Sequence, residues 1–369
     1  MWDGEKWVFA DICYSGKKQK CIVKFSNGQE FICSPIHKFA VISHMGSVRF
    51  VECRNLASKE NSRNAHKIVV NEKIPVADSK YNSDWARDKY KAYASNANVV
   101  YLDKINDSFK IGVVLGRAAS DGSISNAKLH YSLRQIVAEH EIDVYGILEE
   151  YMKPLNTKNT TIGVREGRTE NIKQIVVNSK TLIGEINNLD IKHQIHPKIF
   201  QDTEMLRGFL RGMFDGDGGI SGKTISLTFG TQSDFEPFCR QIQKALLFFG
   251  IRSRYHKYDY RSKITIQTYD NERFLDIIRF INKDKQEKGE ALRTKKDEHI
   301  FGKVLTVEKV EITDEYIDMY DVCNTDDGYY VADGIITHNT AADIFKIGVA
   351  RNFSFIRRNN LLGELLITN

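Results

Sequence analysis

No stretch of the 369 residues has the roughly 20 consecutive apolar positions that a membrane-crossing helix needs. The first residues (MWDGEKWVFADI) also lack the charged-then-apolar order of a secretory signal. These absences argue against membrane and secreted classes, so the chain is expected to act inside the cell, in the cytoplasm. The six cysteines, Cys13, Cys21, Cys33, Cys53, Cys239 and Cys323, show no CxxC spacing. That excludes a zinc ribbon, suggests no disulfide frame, and leaves the cysteines to be read as buried thiols. Strong charge of one sign is missing too: 53 Lys and Arg against 48 Asp and Glu give a net charge of +5. A mildly basic chain allows a polyanion such as DNA as partner without requiring one. The 41% hydrophobic content is enough for a sizeable core, and the length suggests two or three domains.

What is present begins as β-patterned text. In residues 20–33 (KCIVKFSNGQEFIC) two β-rich runs flank Asn27-Gly28, a dipeptide that accepts the positive φ of a tight hairpin turn. An upstream strand over 7–14 is expected to end in Ser15-Gly16, and Ser34 and His37 follow the hairpin directly. Residues 49–56 read as a strand entering a turn. Residues 76–108 are polar and rich in Asn, Ser, Lys and Tyr, and read as a linker.

The period then changes. Residues 109–122 (FKIGVVLGRAASDG) are helical in pattern and end in Asp121-Gly122; residues 204–218 (EMLRGFLRGMFDGDG) repeat the arrangement and end in Asp217-Gly218. Gly116 and Ser120 in the first segment match Gly212 and Gly216 in the second, and small residues at i, i+4 let two helix backbones approach closely. The segments therefore read as one helix pair. A helix C-terminus carries partial negative charge and prefers Lys or Arg, so an Asp at each of two adjacent ends concentrates like charge. An oxygen-seeking divalent cation, Mg²⁺, relieves that repulsion and would serve phosphodiester hydrolysis. Asp215 to Gly219 also suggests a calcium loop, but position five is Gly219 and position twelve falls on Ser226, with no acidic residue, which excludes it.

After each helix comes β text with interleaved cations, aromatics and hydroxyls: residues 128–134, ending in Arg134, and residues 252–268, with Arg252, Arg254, Tyr258, Arg261 and Lys263. A two-stranded ribbon fits the DNA major groove, and these side chains are the candidate DNA contacts. The alternative is a solvated sheet face. Helical patterns over 133–152, 233–250 and 271–288 would cover the backs of the sheets.

Residues 303–312, 316–324 and 329–336 return to strands, so β-rich ends bracket an α/β middle and an inserted domain is the simplest account. The terminal strands run into His338-Asn339-Thr340. The Asn339 side-chain amide can attack its own backbone carbonyl, His338 can protonate the departing amide, and the Thr340 hydroxyl is a nucleophile. Residues 340–369 read as an unrelated tail, too short for a core.

These residues resemble an intein carrying an inserted LAGLIDADG homing endonuclease, over residues 7–339. Residues 210–218 (LRGMFDGDG) are similar to the second endonuclease motif and residues 114–122 (VLGRAASDG), more loosely, to the first. The resemblance implies a mixed fold: an all-β Hint-type splicing domain (1–75 and 301–339), incomplete at its N-terminus, interrupted by an α+β endonuclease (109–300) of two αββαββα-like halves. It also implies that Asp121 and Asp217 hold the metals, and that both motifs in one chain let a monomer cut an asymmetric site in double-stranded DNA. No lysine is assigned beside the metals; Lys263 is the provisional choice. For splicing, which needs no cofactor, the resemblance implies that His37 polarises the upstream scissile amide, that Ser34 stands where the family usually has Thr, and that Asp321 helps activate the upstream nucleophile. Gly328 departs from a histidine that many inteins use in Asn cyclisation. The upstream nucleophile itself is missing, and Cys13 lies too close to His37 to be it. The chain is therefore expected to be the C-terminal piece of a split intein whose partner is an N-terminal intein and extein fragment; a truncated gene product is the competing view. The tail from Thr340 resembles a family A DNA polymerase segment, without its catalytic strand. Two alternatives to splicing stay open, a splicing-defective endonuclease and a polymerase fragment.

Overall fold

Asn27-Gly28 turns the chain as its chemistry demands: Gly28 sits at φ 79°, its N–H donates to Phe25 O at 2.8 Å, and the Asn27 side chain accepts from Gln29 N at 3.0 Å. The computed structural model that shows this describes residues 9–43, 47–70, 80–89, 99–127, 130–166, 172–230, 235–293, 304–323 and 329–338. Asn339, Thr340, Gly328 and the tail lie outside the described residues. The chain divides into two units, Met1–Glu72 with His299–Asn369, and Lys73–Glu298.

The first unit starts with β1 (Asp11–Phe25) and β2 (Glu30–Cys33), the arms of that hairpin. Alternate residues Cys21, Val23 and Phe25 face the core and meet Cys33 and Phe31 across the ladder. Ser15-Gly16 does not end the strand as expected. Gly16, at φ 86°, instead forms an irregularity that shifts the register and lets β1 run on. Next come β3 (Lys38–Ile42), β4 (Val48–Glu52) and β5 (Lys67–Val69).

The second unit contains α1 (Asp84–Lys89), α2 (Ser108–Ser120), β6 (Ser123–Ala127), β7 (His130–Ala138), α3 (Ile142–Met152), β8 (Thr161–Glu166), β9 (Ile172–Asn178) and α4 (Lys180–Leu189). Then follow α5 (Pro197–Phe200), α6 (Thr203–Gly216), β10 (Gly218–Ser221), β11 (Thr224–Gly230), α7 (Glu236–Phe248), β12 (Ser253–Tyr258), β13 (Arg261–Ile266), α8 (Asn271–Ile277) and α9 (Lys283–Glu290). From α2 and from α6 the order is α-β-β-α-β-β-α, and the antiparallel sheets share one topology, β6-β7-β9-β8 and β10-β11-β13-β12. The helical pattern expected over 133–152 begins only at Ile142. Residues 130–138 have period two instead, with Leu133, Gln135 and Val137 inward against exposed Arg134 and Ile136. The polar stretch read as a linker is also structured in part. Val100, Leu102 and Ile105 join the core, and buried Glu185 accepts from Ser83 Oγ at 2.6 Å and Leu102 N at 2.8 Å.

The helix pair α2–α6 forms the centre of this unit. Each helix is capped at its start by an Asp, Asp107 accepting from Lys110 N at 3.1 Å and Asp202 from Met205 N at 2.9 Å. Glycines then let the backbones touch. A methyl placed on Gly116 would lie 2.1 Å from Phe209 O, and one on Gly212 would lie 2.5 Å from Val113 O.

The chain returns to the first unit with β14 (Val304–Cys323), β15 (Tyr329–Ala332) and β16 (Ile335–His338). The separate strands expected over 303–312 and 316–324 are one strand, because β1 pairs along it through three register shifts. The resulting eight-stranded sheet has the order β15-β16-β3-β5-β14-β1-β2, with β4 on β3. Its core includes Val23, Phe25, Phe39, Ile68, Val307 and Ile335.

A branched residue at the helix contact has nowhere to go. Gly212→Val should lower the stability of the second unit by about 3 kcal/mol or more, whereas Gly146→Ala, in open space on α3, should change it by less than about 1 kcal/mol. Urea denaturation followed by circular dichroism reads both; an unchanged midpoint in Gly212→Val would contradict the packing.

Candidate functional site

Asp121 and Asp217 are the C-cap residues of α2 and α6, their N–H groups bonding Arg117 O and Met213 O, each at 3.0 Å. The two helix ends abut. A methyl on Gly216 would sit 2.1 Å from Ser120 Oγ and 3.1 Å from Asp121 Oδ2. Asp217 is pushed up to about 6, first by desolvation and then by the charge of Asp121, although part of its surface faces solvent. Two carboxylates at paired helix C-termini, the charge of Asp121 raising Asp217, form an oxygen donor set that fits a divalent cation.

Two lysines that the sequence reading missed stand behind this pair. Lys192 Nζ donates to Ala119 O at 2.9 Å and Ser120 O at 3.2 Å, at the end of α2. Lys285 Nζ donates to Asp215 O at 2.5 Å and Gly218 O at 2.9 Å, at the end of α6. Burial pushes both ammonium groups down, while the nearby carboxylates, Asp217 and Asp121 for Lys192 and chiefly Asp215 for Lys285, pull them back up. The signal that could have found them is the repeat itself: Lys192 follows α4 and Lys285 follows α8, the last helix of each αββαββα run. Lys263, the provisional choice, lies instead on β13 between Thr228 and His256. A third cation, Arg117, is fully buried and reaches Asp121 Oδ2 at 3.0 Å, Ile136 O at 3.2 Å and Glu141 Oε2 at 3.6 Å.

The sheets place most of the expected DNA contacts on one face. On the second sheet Ile225, Leu227, Phe229, Ile264 and Ile266 point inward, and the opposite face carries cross-strand rows: Arg254–Thr265–Ser226, His256–Lys263–Thr228 and Tyr258–Arg261–Gly230. The Arg261 guanidinium lies 5.0 Å from the Tyr258 ring centre and 5.2 Å from that of Tyr260. Arg134 is exposed on β7, opposite Ser123. Arg252 is placed differently: it precedes β12 and forks onto buried Asp270 at 2.7 and 2.9 Å, so its guanidinium holds the fold.

In the first unit, Ser34, His37 and Asp321 line one pocket of about 120 Å³, with Lys18, Cys33 and Tyr330. His37 packs on Phe31 and Phe39, and its Nε2 is buried without a hydrogen-bond partner. Burial, and secondly the charge of His338, push His37 down to about 4. β16 delivers His338 beside it by pairing with β3, His338 opposite Lys38 and Thr337 opposite Phe39. Thr337 is buried, and its hydroxyl donates to Tyr330 O at 3.2 Å. Four of the cysteines are buried thiols as expected, but Cys13, half-buried on β1, is in a disulfide.

Residues 204–288, which run from α6 to α9, match the family model of the LAGLIDADG-like domain. The second unit carries a LAGLIDADG-like domain. Among solved structures, mesophilic variants of the homing endonuclease I-DmoI are similar at 17% identity and a TM-score of 0.40, covering 48% of this chain and 97% of theirs. I-DmoI in complex with DNA and Ca gives 16% and 0.39, with 46% and 89% covered. The homing endonuclease I-WcaI bound to its DNA recognition sequence gives 15% and 0.34, with 57% and 94% covered. A curated relative, the replication factor C small subunit of Pyrococcus horikoshii, is 36% identical over 136 residues, or 36% of this chain; the match spans 14% of that protein's length. No described helix is long and apolar enough to cross a membrane.

Two pH responses follow from these sites. A carboxyl raised to about 6 favours its proton, so the metal-free LAGLIDADG-like domain should lose stability as pH rises from the ordinary carboxylate range through 6. A divalent cation held by Asp217 would have to displace that proton, so affinity for Mg²⁺ should rise with pH up to about 6 and then level; calorimetric titration that finds affinity flat from pH 5 to pH 7 would contradict this. His37 has the opposite sign. Its neutral form is favoured, so stability present above 6.5 should be lost as pH falls toward 4, and ring NMR should find it titrating near 4.

Proposed function

We propose that the LAGLIDADG-like domain cleaves both strands of a double-stranded DNA site, acting as a monomer inside the cell. The observation that carries this reading is the pair of Asp-tipped helix ends, each with a half-buried lysine behind it, beside sheets whose open faces are cationic and aromatic. Asp121 and Asp217 would hold Mg²⁺, which when bound supplies an activated water and stabilises the leaving oxygen of a phosphodiester. Lys192 and Lys285 moderate the negative charge of the two carboxylates and fix the helix ends on which they stand. Arg134, Arg254, Arg261 and Lys263 neutralise phosphates, and Tyr258 offers a ring to bases or sugars. The solved relatives named above include complexes with DNA and with divalent metal, in keeping with this chemistry.

The pocket of the first unit favours a second activity of the same chain, protein splicing in trans. In this reading the first unit is a Hint-type domain, and an N-terminal fragment encoded elsewhere supplies the upstream nucleophile. Ser34 and His37 polarise the upstream amide, and Asp321 assists the nucleophile that attacks it. The Thr340 hydroxyl then takes over the acyl group, and Asn339 cyclises as His338 protonates the departing amine. The residues from Thr340 onward are the extein, a segment of a family A polymerase.

Incubation with the uninterrupted host gene should give a Mg²⁺-dependent double-strand cut near the codons flanking Thr340. Asp217→Asn should reduce the rate by more than about 100-fold; a cut that survives this change or excess chelator would sink the assignment. Arg254→Ala should weaken binding across sequences and lower the salt slope by about 1. For splicing, Asn339→Ala should abolish release of the tail on mixing with the N-terminal fragment, and an unchanged rate by gel assay would rule out Asn cyclisation.

A further inference from the structure

Three cysteines from three separate segments converge in the first unit. Cys21 lies on β1, Cys33 is its direct cross-strand partner on β2, and Cys53 follows β4 in a short 3₁₀ turn. Their Sγ atoms all lie within 4.8 Å of one another, and the residues are 0%, 4% and 0% exposed. The surrounding core is hydrocarbon, with Val23, Phe25, Phe31 and Phe39 among its members. The thiols are close enough to hydrogen-bond to one another, Cys21 with Cys33 and with Cys53. A trio of buried thiols serving only as small apolar residues needs no such mutual approach.

Three thiolates around one ion at about 2.3 Å stand about 4.0 Å apart at the corners of a triangle, a spacing within the reach of this cluster. The donors are all soft, which selects against Mg²⁺ and Ca²⁺. Structural zinc sites take four ligands, whereas this group offers three and is closed to water. We propose that Cys21, Cys33 and Cys53 form a binding site for one soft d¹⁰ cation of the Cu⁺ class, held by sulfur alone. On binding, ligating thiols give their S–H protons to solvent, and copper and sulfur keep their oxidation states. The site ties three segments together beside the pocket described above: Cys33 lines that pocket, and Cys53 N–H donates to His37 O at 2.7 Å.

The test uses the full chain, reduced and anaerobic, titrated with Cu⁺ against a chromogenic chelator, with Zn²⁺ in a parallel arm. One Cu⁺ per chain is expected, with X-ray absorption showing only sulfur neighbours, and with Zn²⁺ bound more weakly. Cys33→Ser and Cys53→Ser should each weaken Cu⁺ binding by more than about 10-fold, while Cys239→Ser, in the other unit, leaves it unchanged. If the serine variants do not fold by circular dichroism, the stoichiometry and sulfur shell of the unaltered chain decide. Absence of bound Cu⁺, nitrogen or oxygen neighbours, unaltered affinity in a folded Cys33→Ser, or tighter Zn²⁺ binding with a fourth donor would each overturn the proposal. None of these readouts depends on DNA cleavage or splicing.

Discussion

The second unit depends on a contact between main chains. Where α2 meets α6, glycine replaces side chains on both helices, and carbonyl oxygens of one helix occupy the space a methyl of the other would need. Close approach lets the two helix ends come side by side, so that the partial negative charges of two C-termini and the full charges of Asp121 and Asp217 share one small volume. The strain of that arrangement is electrostatic, and the structure answers it with Lys192, Lys285 and Arg117. Packing and chemistry are therefore one design. The sheets depend on it in turn, since each follows directly from one of the capped ends.

The repeated helix was legible because its signal is local: an Asp-Gly terminus and small residues at i, i+4 can be read in one window of text. Strand pairing was less so. Residues 130–138 carry a period of two that a longer helical pattern in the following residues obscured, and β14 was divided because nothing local shows that β1 would run beside it throughout. Side chains whose partners are distant in sequence were the hardest to read. Arg252 has the composition of a DNA contact, yet Asp270 claims it. Lys192 and Lys285 lie far along the chain from the carboxylates they attend. The cysteine cluster draws on three segments, and no spacing rule announces it. Ser34, His37 and Asp321 could be named beforehand only through a family resemblance, and their shared pocket was visible only in the fold.

The two halves of the second unit match in topology but not in what they bury. Arg117 on α2 corresponds to Met213 on α6, and Ala119 to Asp215, so each helix carries one buried charge at a place where the other is neutral. Asp215 Oδ1 accepts from Ile281 N at 2.8 Å and Asn282 N at 3.1 Å, holding the approach to α9, and Arg117 contributes to its electrostatic surroundings. The halves have thus become complementary rather than interchangeable.

The last described strand has a similar dependence on a residue with no chemistry of its own. Neighbouring strand residues face opposite ways, so a slip of β16 by one position against β3 would present Thr337 where His338 now stands. It would also bring the Thr337 hydroxyl out of the buried place where it bonds Tyr330 O and put a histidine there instead. The alignment of His338 on β16 is set by this buried threonine acting as a ratchet tooth. Variants that loosen Thr337 would shift where the His338 ring lies against β3 without altering the chemistry of that ring.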